Sequence, residues 1–223
     1  MVVDRMTVLS AMIDQGVIPV FYHPDVDVCQ KVIQACADGG AKCIEFTNRG
    51  EFAAHVFFEV TRHFAKADPS VIMGVGSVVD APTAGVFIAN GAKFLVGPLT
   101  NPDIAKLCNR RKIPYSPGCG SATEIGYAEE LGCEIVKVFP GGSVGGPDFV
   151  KSILGPCPWT RIMPTGGVDA TEESLTKWFK AGVACVGIGS NLITKELLAA
   201  KDYSGVENKV RETIALIRKI RGK

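Results

Sequence analysis

Short apolar runs rich in β-branched residues recur along the chain, and helix-like stretches separate them. Their first residues are Val17, Cys43, Val71, Lys93, Pro114, Glu134, Arg161 and Val183. Continuous apolar runs are typical of parallel strands that are covered on both faces. The stretches between them, such as residues 24–40, place apolar residues at roughly helical spacing. The pattern therefore predicts eight alternating βα units.

Several of these units end with the same sequence pattern. In "DGGAKCIEF", "ANGAKFLV", "ELGCEIVKV" and "KAGVACVGI" a glycine ends the helix-like stretch and the next apolar run follows at once. Glycine at that position caps a helix and lets the chain turn quickly. Eight such units without a linker predict an α/β protein, a single-domain (β/α)8 TIM barrel over residues 1–223 with a closed parallel sheet. A doubly wound open sheet alternates similarly and remains the structural alternative. Helices are predicted at about 3–15 and about 204–221.

Composition narrows the function classes. The chain has 223 residues, 47% of them hydrophobic, and a net charge of +1. This charge gives no electrostatic footprint for nucleic acid or an anionic membrane surface, and no apolar stretch approaches the length of a bilayer span. The eight cysteines contain no C-x-x-C pair and read as small buried hydrophobes, so we expect no metal site. Without a signal-like segment, the expected location is cytoplasmic.

A lysine stands inside one of the apolar runs. Lys137 is the fourth residue of "EIVKVFPGG", where a parallel strand tolerates charge poorly. Burial penalises the ammonium form and leaves part of the lysine as a free amine, which is what a Schiff-base nucleophile requires. The alternative is a strand-end lysine that reaches the surface or is neutralised by a buried acid. The glycine-rich loop that follows places Lys137 near the carboxyl ends of the strands, where barrels build active sites.

A carboxylate stands inside the second run. Glu45 in "CIEFTNRG" belongs to the second predicted strand and Lys137 to the sixth, so both side chains can point into one central mouth. A carboxylate near an amine can move the protons that imine chemistry needs, although a structural ion pair is the alternative. Arg49 follows at the strand end and suits a planar carboxylate. By itself such an arginine is more often a surface residue.

Two glycine-containing loops follow the last two predicted strands. Gly166 and Gly167 lie in "MPTGGV", and Gly189 and Ser190 lie in "GIGSN". Loops after strands 7 and 8 are the usual phosphate site of such barrels, and a helix predicted to begin near Ser190 would add its dipole. We interpret the pair as a phosphate site, with ordinary turns as the alternative.

Taken together, these motifs resemble the KDPG/KHG aldolase family. The motifs are the "PV" of the first strand, "IEFTNRG", "GVGSV", "PGCGSATE", "VKVFP", "MPTGGV" and "GIGS", in that order from about Val17 to Ser190. Members are class I pyruvate aldolases that act on 2-keto-3-deoxy-6-phosphogluconate (KDPG) or 4-hydroxy-2-oxoglutarate (KHG). The resemblance implies a (β/α)8 barrel, a homotrimer, and catalysis without metal or organic cofactor.

The resemblance also implies residue roles. Lys137 matches the Schiff-base lysine and Glu45 the general acid/base. Arg49 and Ser77 match residues that contact the pyruvate carboxylate, with serine where the family usually has threonine. Thr165 matches a pocket residue, and the two glycine-containing loops match the phosphate loops.

Two differences from the family's motifs lie at the mouth of the predicted barrel. Residues 47–50 read Thr-Asn-Arg-Gly where the family commonly shows Thr-Leu-Arg-Thr, and Gly97-Pro98-Leu99 replaces an expected Ser-Pro-Gly. These changes leave the lysine chemistry intact and leave open which aldehyde is accepted.

The predicted function is cleavage of a small-molecule 2-keto-4-hydroxy acid to pyruvate and an aldehyde. Two alternatives remain at this point. One is a phosphate-binding barrel lyase or synthase without imine chemistry, and the other is a non-enzymatic barrel that binds a sugar phosphate.

Overall fold

The computed structural model describes residues 4–222, in which strands and helices alternate. The strands are β1 Val17–Phe21, β2 Cys43–Thr47, β3 Ile72–Gly76, β4 Leu95–Val96, β5 Tyr115–Ser116, β6 Gly118–Cys119, β7 Val136–Val138, β8 Ile162–Pro164 and β9 Val186–Ile188. The helices are α1 Arg5–Gln15, α2 Val26–Asp38, α3 Ala53–Ala67, α4 Ala81–Ala89, α5 Pro102–Arg111, α6 Ala122–Glu130, α7 Gly146–Leu154, α8 Glu172–Lys180, α9 Lys195–Ala199 and α10 Tyr203–Arg221. Every paired strand is parallel to its neighbour, which confirms the predicted α/β class.

The two terminal helices begin at capping aspartates. The Asp4 carboxylate accepts a hydrogen bond from the Thr7 amide at 2.7 Å, and α1 therefore begins at residue 5. Residue 3, where the sequence places the start of this helix, lies outside the described residues. Asp202 caps α10 in the same way, and α10 begins at Tyr203, one residue before the predicted start.

The predicted glycine turns are confirmed at the four helix-to-strand junctions. Gly40, Gly91, Gly132 and Gly182 have φ values of +97°, +101°, +80° and +101°. A residue with a Cβ is strained in this left-handed region, whereas glycine is not. Each glycine therefore ends its helix within two residues and aims the chain at the next strand.

The hydrogen-bonded ladders do not form the single closed ring that the sequence predicts. They form a six-stranded sheet, in the order β5-β4-β3-β2-β1-β9, and a three-stranded sheet, in the order β6-β7-β8. The fifth predicted strand is divided at Pro117, which lacks the amide N–H of a continuous ladder. Its first two residues pair with β4, and its last two pair with β7.

Alternate strand residues divide between two apolar clusters, as the two-residue period of a strand requires. Val17 and Ile44 pack with the outer helices, while Ile18, Cys43 and Ile135 belong to an inner cluster. Helix α1 contributes to this inner cluster and covers the amino ends of the strands. The carboxyl ends of the strands are not covered by this helix and can form a site. Within residues 4–222, no helix is both long and apolar enough to cross a bilayer.

Candidate active site

Lys137 and Glu45 both lie on the inner face of their strands. Lys137 follows the inner-cluster residue Ile135 by two positions, and Glu45 follows Cys43 by two. Both strands are buried along their whole length, and the two side chains are 5% and 2% exposed. The fold therefore brings an amine and a carboxylate into one interior from two different sheets.

Burial perturbs both groups in the direction that favours the neutral form. It lowers the pKa of Lys137, an effect that the Glu45 carboxylate opposes and the Arg49 guanidinium reinforces. Burial likewise raises the pKa of Glu45, while Lys137 and Arg49 act against it. Removing a charge from water is the dominant cause in each case. The pair is coupled through its charges, and each member is easier to neutralise than in water.

The amine is not held in an ion pair. Among the described residues, Lys137 Nζ has no hydrogen-bond or ion-pair partner, and it lies 4.5 Å from the centroid of the Phe139 ring. Glu45 Oε2 is buried and also without a hydrogen-bond partner in residues 4–222. A structural ion pair would join these groups directly, so their geometry favours chemistry over a purely structural role.

Arg49 and Ser77 lie together at the carboxyl ends of β2 and β3. Arg49 Nε donates a hydrogen bond to Ser77 Oγ at 3.2 Å. Ser77 has a φ of +60°, an uncommon conformation for a residue with a side chain. The hydroxyl thus orients a guanidinium whose remaining N–H groups are available to a carboxylate ligand.

An open cavity of about 470 Å³ lies at the carboxyl ends of β1, β2, β8 and β9. Its wall includes six of the predicted site residues, namely Arg49, Thr165, Gly166, Gly167, Gly189 and Ser190. Lys137, Glu45 and Ser77 lie outside this wall. Two wall residues connect the cavity to these three. Arg49 contacts Ser77, and Phe139 contacts Lys137.

The first glycine loop has a conformation suited to an anion. Gly166 and Gly167 have φ values of +82° and +78°. Their loop is tied to the loop after β7, because the amides of Gly141 and Gly142 donate to the carbonyls of Thr165 and Gly166 at 2.9 Å. With these carbonyls occupied from one side, the loop presents backbone N–H groups in a turn conformation that can bind an anion.

The second loop differs from the prediction. Gly189 and Ser190 line the cavity, but no helix begins near Ser190. A turn follows first, in which the Leu192 and Ile193 amides donate to the Gly189 carbonyl, and α9 begins only at Lys195. Because α9 has five residues, its dipole is small, and the expected helix-dipole contribution at Ser190 was wrong.

The residues of the cavity wall that sequence reasoning missed include Tyr22, Phe139 and Lys195. Phe139 could have been found, because it follows Lys137 by two and shares its face of the strand. Lys195 lies in a segment that forms a turn and then a short helix. No local sequence pattern predicts that this segment folds back onto the cavity. Arg49 and Lys195 are the charged residues of this wall as the structure describes it, so the cavity has an excess of positive charge.

The donor chemistry of the site suits amine and acid/base catalysis. A buried, unpaired amine and a neighbouring carboxylate can form an imine and move protons, and a cationic wall can hold an anionic substrate. Across the described part of the chain, no cluster of three or more His, Cys, Asp or Glu is arranged to hold a metal ion.

Two proteins similar in sequence cover nearly the whole chain. The 2-dehydro-3-deoxy-phosphogluconate aldolase of Treponema pallidum (strain Nichols) is 30% identical over 212 residues, which are 95% of this chain and 98% of that protein. The KHG/KDPG aldolase of Escherichia coli K12 is 28% identical over 198 residues, which are 89% of this chain and 90% of that protein.

A solved structure and a family model agree with these relatives. The KDPG aldolase of Legionella pneumophila, with pyruvate captured at low pH as a covalent carbinolamine intermediate, superposes with a TM-score of 0.83 at 25% identity. That match covers 94% of this chain and 97% of the other. The model of KDPG and KHG aldolases matches residues 8–209. The resemblance in the motifs is thereby confirmed, and the chain belongs to the KDPG and KHG aldolase family.

Proposed function

We propose that this protein is a class I aldolase that cleaves a 2-keto-4-hydroxy acid to pyruvate and an aldehyde. With KDPG the aldehyde is glyceraldehyde 3-phosphate, and with KHG it is glyoxylate. The observation that carries the proposal is the buried, unpaired amine of Lys137 beside the Glu45 carboxylate. The aldolase names of the relatives and the pyruvate carbinolamine in the Legionella pneumophila enzyme support it.

The chemistry begins with the free amine of Lys137. Its lone pair adds to the C2 carbonyl carbon to form a carbinolamine, and loss of water gives a protonated imine. Glu45 takes the proton of the C4 hydroxyl, the C3–C4 bond breaks, and its electron pair moves into the imine to form an enamine. The aldehyde leaves. Protonation of C3 and hydrolysis of the imine then release pyruvate and restore Lys137.

The remaining site residues position the substrate. Arg49 and Ser77 bind the carboxylate next to C2, since their hydrogen bond already orients the guanidinium. Thr165 lines the same cavity, and its Oγ1 is buried without a partner within residues 4–222. The loops at Gly166-Gly167 and Gly189-Ser190 bind the far anionic group, a phosphate in KDPG.

The two alternative functions are less favoured. A barrel lyase without imine chemistry, or a non-enzymatic sugar-phosphate sensor, has no use for a lysine buried in the interior. Burying an unpaired amine costs stability, and a protein gains nothing from that cost unless the amine reacts.

We also infer that the two sheets form one closed barrel in a single domain. Residues 115–119 connect the two sheets, because each end of this segment pairs with a different neighbour. Across the other gap, Thr165 forms a parallel bridge with Gly187, and the Ala184 amide donates to the Ile162 carbonyl at 2.9 Å. A common unfolding transition followed by two probes would support one unit, whereas separate transitions would contradict it.

Self-association into a homotrimer is a further part of the proposal. Phe52, Val79 and Leu99 are 79%, 47% and 45% exposed on the loops that follow the adjacent strands β2, β3 and β4. The Asn101 amide joins two of these loops by donating to the Val79 carbonyl at 3.0 Å. Neighbouring exposed apolar side chains favour an interface. A monomeric mass by light scattering would contradict it.

Borohydride trapping tests the aldolase mechanism. Sodium borohydride in the presence of pyruvate reduces an imine to a stable secondary amine, and peptide mass spectrometry locates the adduct. We expect the adduct on the peptide that contains Lys137. Lys137→Met should abolish both adduct and turnover while keeping the fold, because methionine suits a buried strand.

Lys66→Met is the matched control, since Lys66 is an exposed helical lysine outside the cavity. It should retain adduct formation and turnover. Turnover by folded Lys137→Met, or an adduct confined to another lysine, would refute the assignment of Lys137.

A further inference from the structure

Tyr22 occupies space that a side chain at position 50 would fill. A Cβ built on Gly50 would lie 2.1 Å from Tyr22 Oη and 2.7 Å from Cζ. Real Cβ contacts essentially never fall below 3.0 Å, so any residue other than glycine at position 50 would displace the phenol. The absence of a side chain at Gly50 is therefore the condition for the observed position of the Tyr22 hydroxyl.

The ring of Tyr22 lies directly after the end of β1. It packs against Phe46, a member of the apolar cluster that contacts the outer helices, with ring centroids 5.6 Å apart. Tyr22 also lines the cavity. Its hydroxyl has no hydrogen-bond partner among residues 4–222, so both its donor and its acceptor capacity are available to a ligand.

The order of the strands fixes where along a ligand this hydroxyl lies. β1 pairs with β2 on one side and with β9 on the other. Arg49 follows β2, and the Gly189-Ser190 loop follows β9, so Tyr22 at the end of β1 lies between these two sites. A substrate whose carboxylate is held at Arg49 and whose far end is held at Gly189-Ser190 must pass Tyr22.

We propose that Tyr22 is a substrate-specificity residue whose hydroxyl hydrogen-bonds an oxygen of the aldehyde-derived half, beyond the C4 carbon. Gly50 is its positioning residue. The ligand class is a polyhydroxylated 2-keto acid that carries a hydroxyl on C5, in preference to a short dicarboxylic 2-keto acid that ends in a carboxylate at C5. This inference rests on the proposed function, because the orientation of the substrate follows from the roles of Lys137 and Arg49.

Tyr22→Phe tests the hydroxyl, with KDPG and KHG as the two substrates. Loss of one neutral hydrogen bond lowers kcat/KM by roughly 3- to 10-fold. We expect this loss with KDPG and a smaller loss with KHG, because the C5 carboxylate of KHG can only accept a hydrogen bond, whereas the C5 hydroxyl of KDPG can both donate to and accept from the phenol. Tyr127→Phe removes a half-exposed tyrosine hydroxyl on α6, outside the cavity, and serves as the matched control. Equal losses with both substrates, or no loss with KDPG, would overturn the proposal.

Gly50→Ala tests the positioning role without touching the hydroxyl itself. It should reduce kcat/KM for KDPG in the wild-type background and have little further effect in the Tyr22→Phe background, because it acts through the displaced phenol. Additive losses in the double variant would show that Gly50 acts independently of Tyr22. If Gly50→Ala fails to fold, Tyr22→Phe alone decides the outcome.

Pyruvate trapping separates the two levels of inference. Wild-type protein that forms no borohydride-trapped adduct with pyruvate refutes the aldolase function and, with it, the role of Tyr22. Wild-type protein that forms the adduct, while Tyr22→Phe keeps the wild-type ratio of KDPG to KHG cleavage, refutes the role of Tyr22 alone.

Discussion

A methyl group at Gly76 would strike the carboxylate that the mechanism depends on. A Cβ built on Gly76 lies 1.8 Å from Glu45 Oε1 and 2.6 Å from Cδ. Gly76 ends β3, next to the strand that carries Glu45. Gly76→Ala is therefore a way to move a catalytic group without changing its chemical identity.

The size of the effect follows from this overlap. Since Cβ contacts below 3.0 Å essentially do not occur, the Glu45 carboxylate must move by about 1 Å. A misplacement of about 1 Å can cost roughly 100-fold in rate, and we expect a fall of about that size in kcat. The clash involves the end of a side chain and not backbone. The cost in unfolding free energy should therefore stay near the lower end of overpacking, about 1 kcal/mol.

The assay measures kcat for pyruvate release together with the thermal midpoint. Gly126→Ala is the matched control, because a Cβ at this exposed helical glycine meets nothing within 4 Å. It should keep kcat and stabilise the helix by about 0.5–1 kcal/mol. A Gly76→Ala enzyme with kcat within about twofold of wild type would refute the requirement for the Glu45 carboxylate at its observed position.

Three further predictions concern charge. Burial lowers the pKa of Lys137, so the rate of pyruvate adduct formation should stay level down to a pH below the ordinary lysine range and then fall about tenfold per pH unit as the ammonium form accumulates. The Glu45 carboxylate raises that pKa, so Glu45→Gln should move the fall to lower pH, and a move to higher pH would contradict the coupling. Lys195→Ala should raise KM for KDPG by roughly 3- to 10-fold, with less effect at high salt, because Lys195 contributes positive charge to the cavity wall. An unchanged KM at low salt would show that Lys195 does not contact the phosphate.

Much of the candidate site could be predicted from local sequence. A charged residue in an apolar run stands out wherever the run belongs to a buried strand, and Lys137 and Glu45 were found in this way. Both occupy fully buried strands. The glycine loops after the last two strands were found because a loop's position in the βα series indicates its end of the barrel.

Other parts of the site depend on long-range packing. Nothing near Gly50 indicates that its missing side chain makes room for Tyr22, 28 residues earlier in the chain. Lys195 reaches the cavity only because the turn after β9 folds back onto the Gly189 carbonyl. The start of α9 was misplaced for the same reason, since a short helix is set by such contacts more than by propensity.

The alternation of strands and helices, the glycine turns between them and the identity of the buried amine and carboxylate could all be predicted from local sequence. These are consequences of periodicity and burial within one segment, where hydrophobic spacing and glycine conformations act locally. Other features depend on contacts between distant segments: Ser77 orients Arg49, Gly76 leaves room for Glu45, and the ladder is interrupted at Pro117. Such features join residues from different strands, and the distance between two side chains is set by sheet order and register.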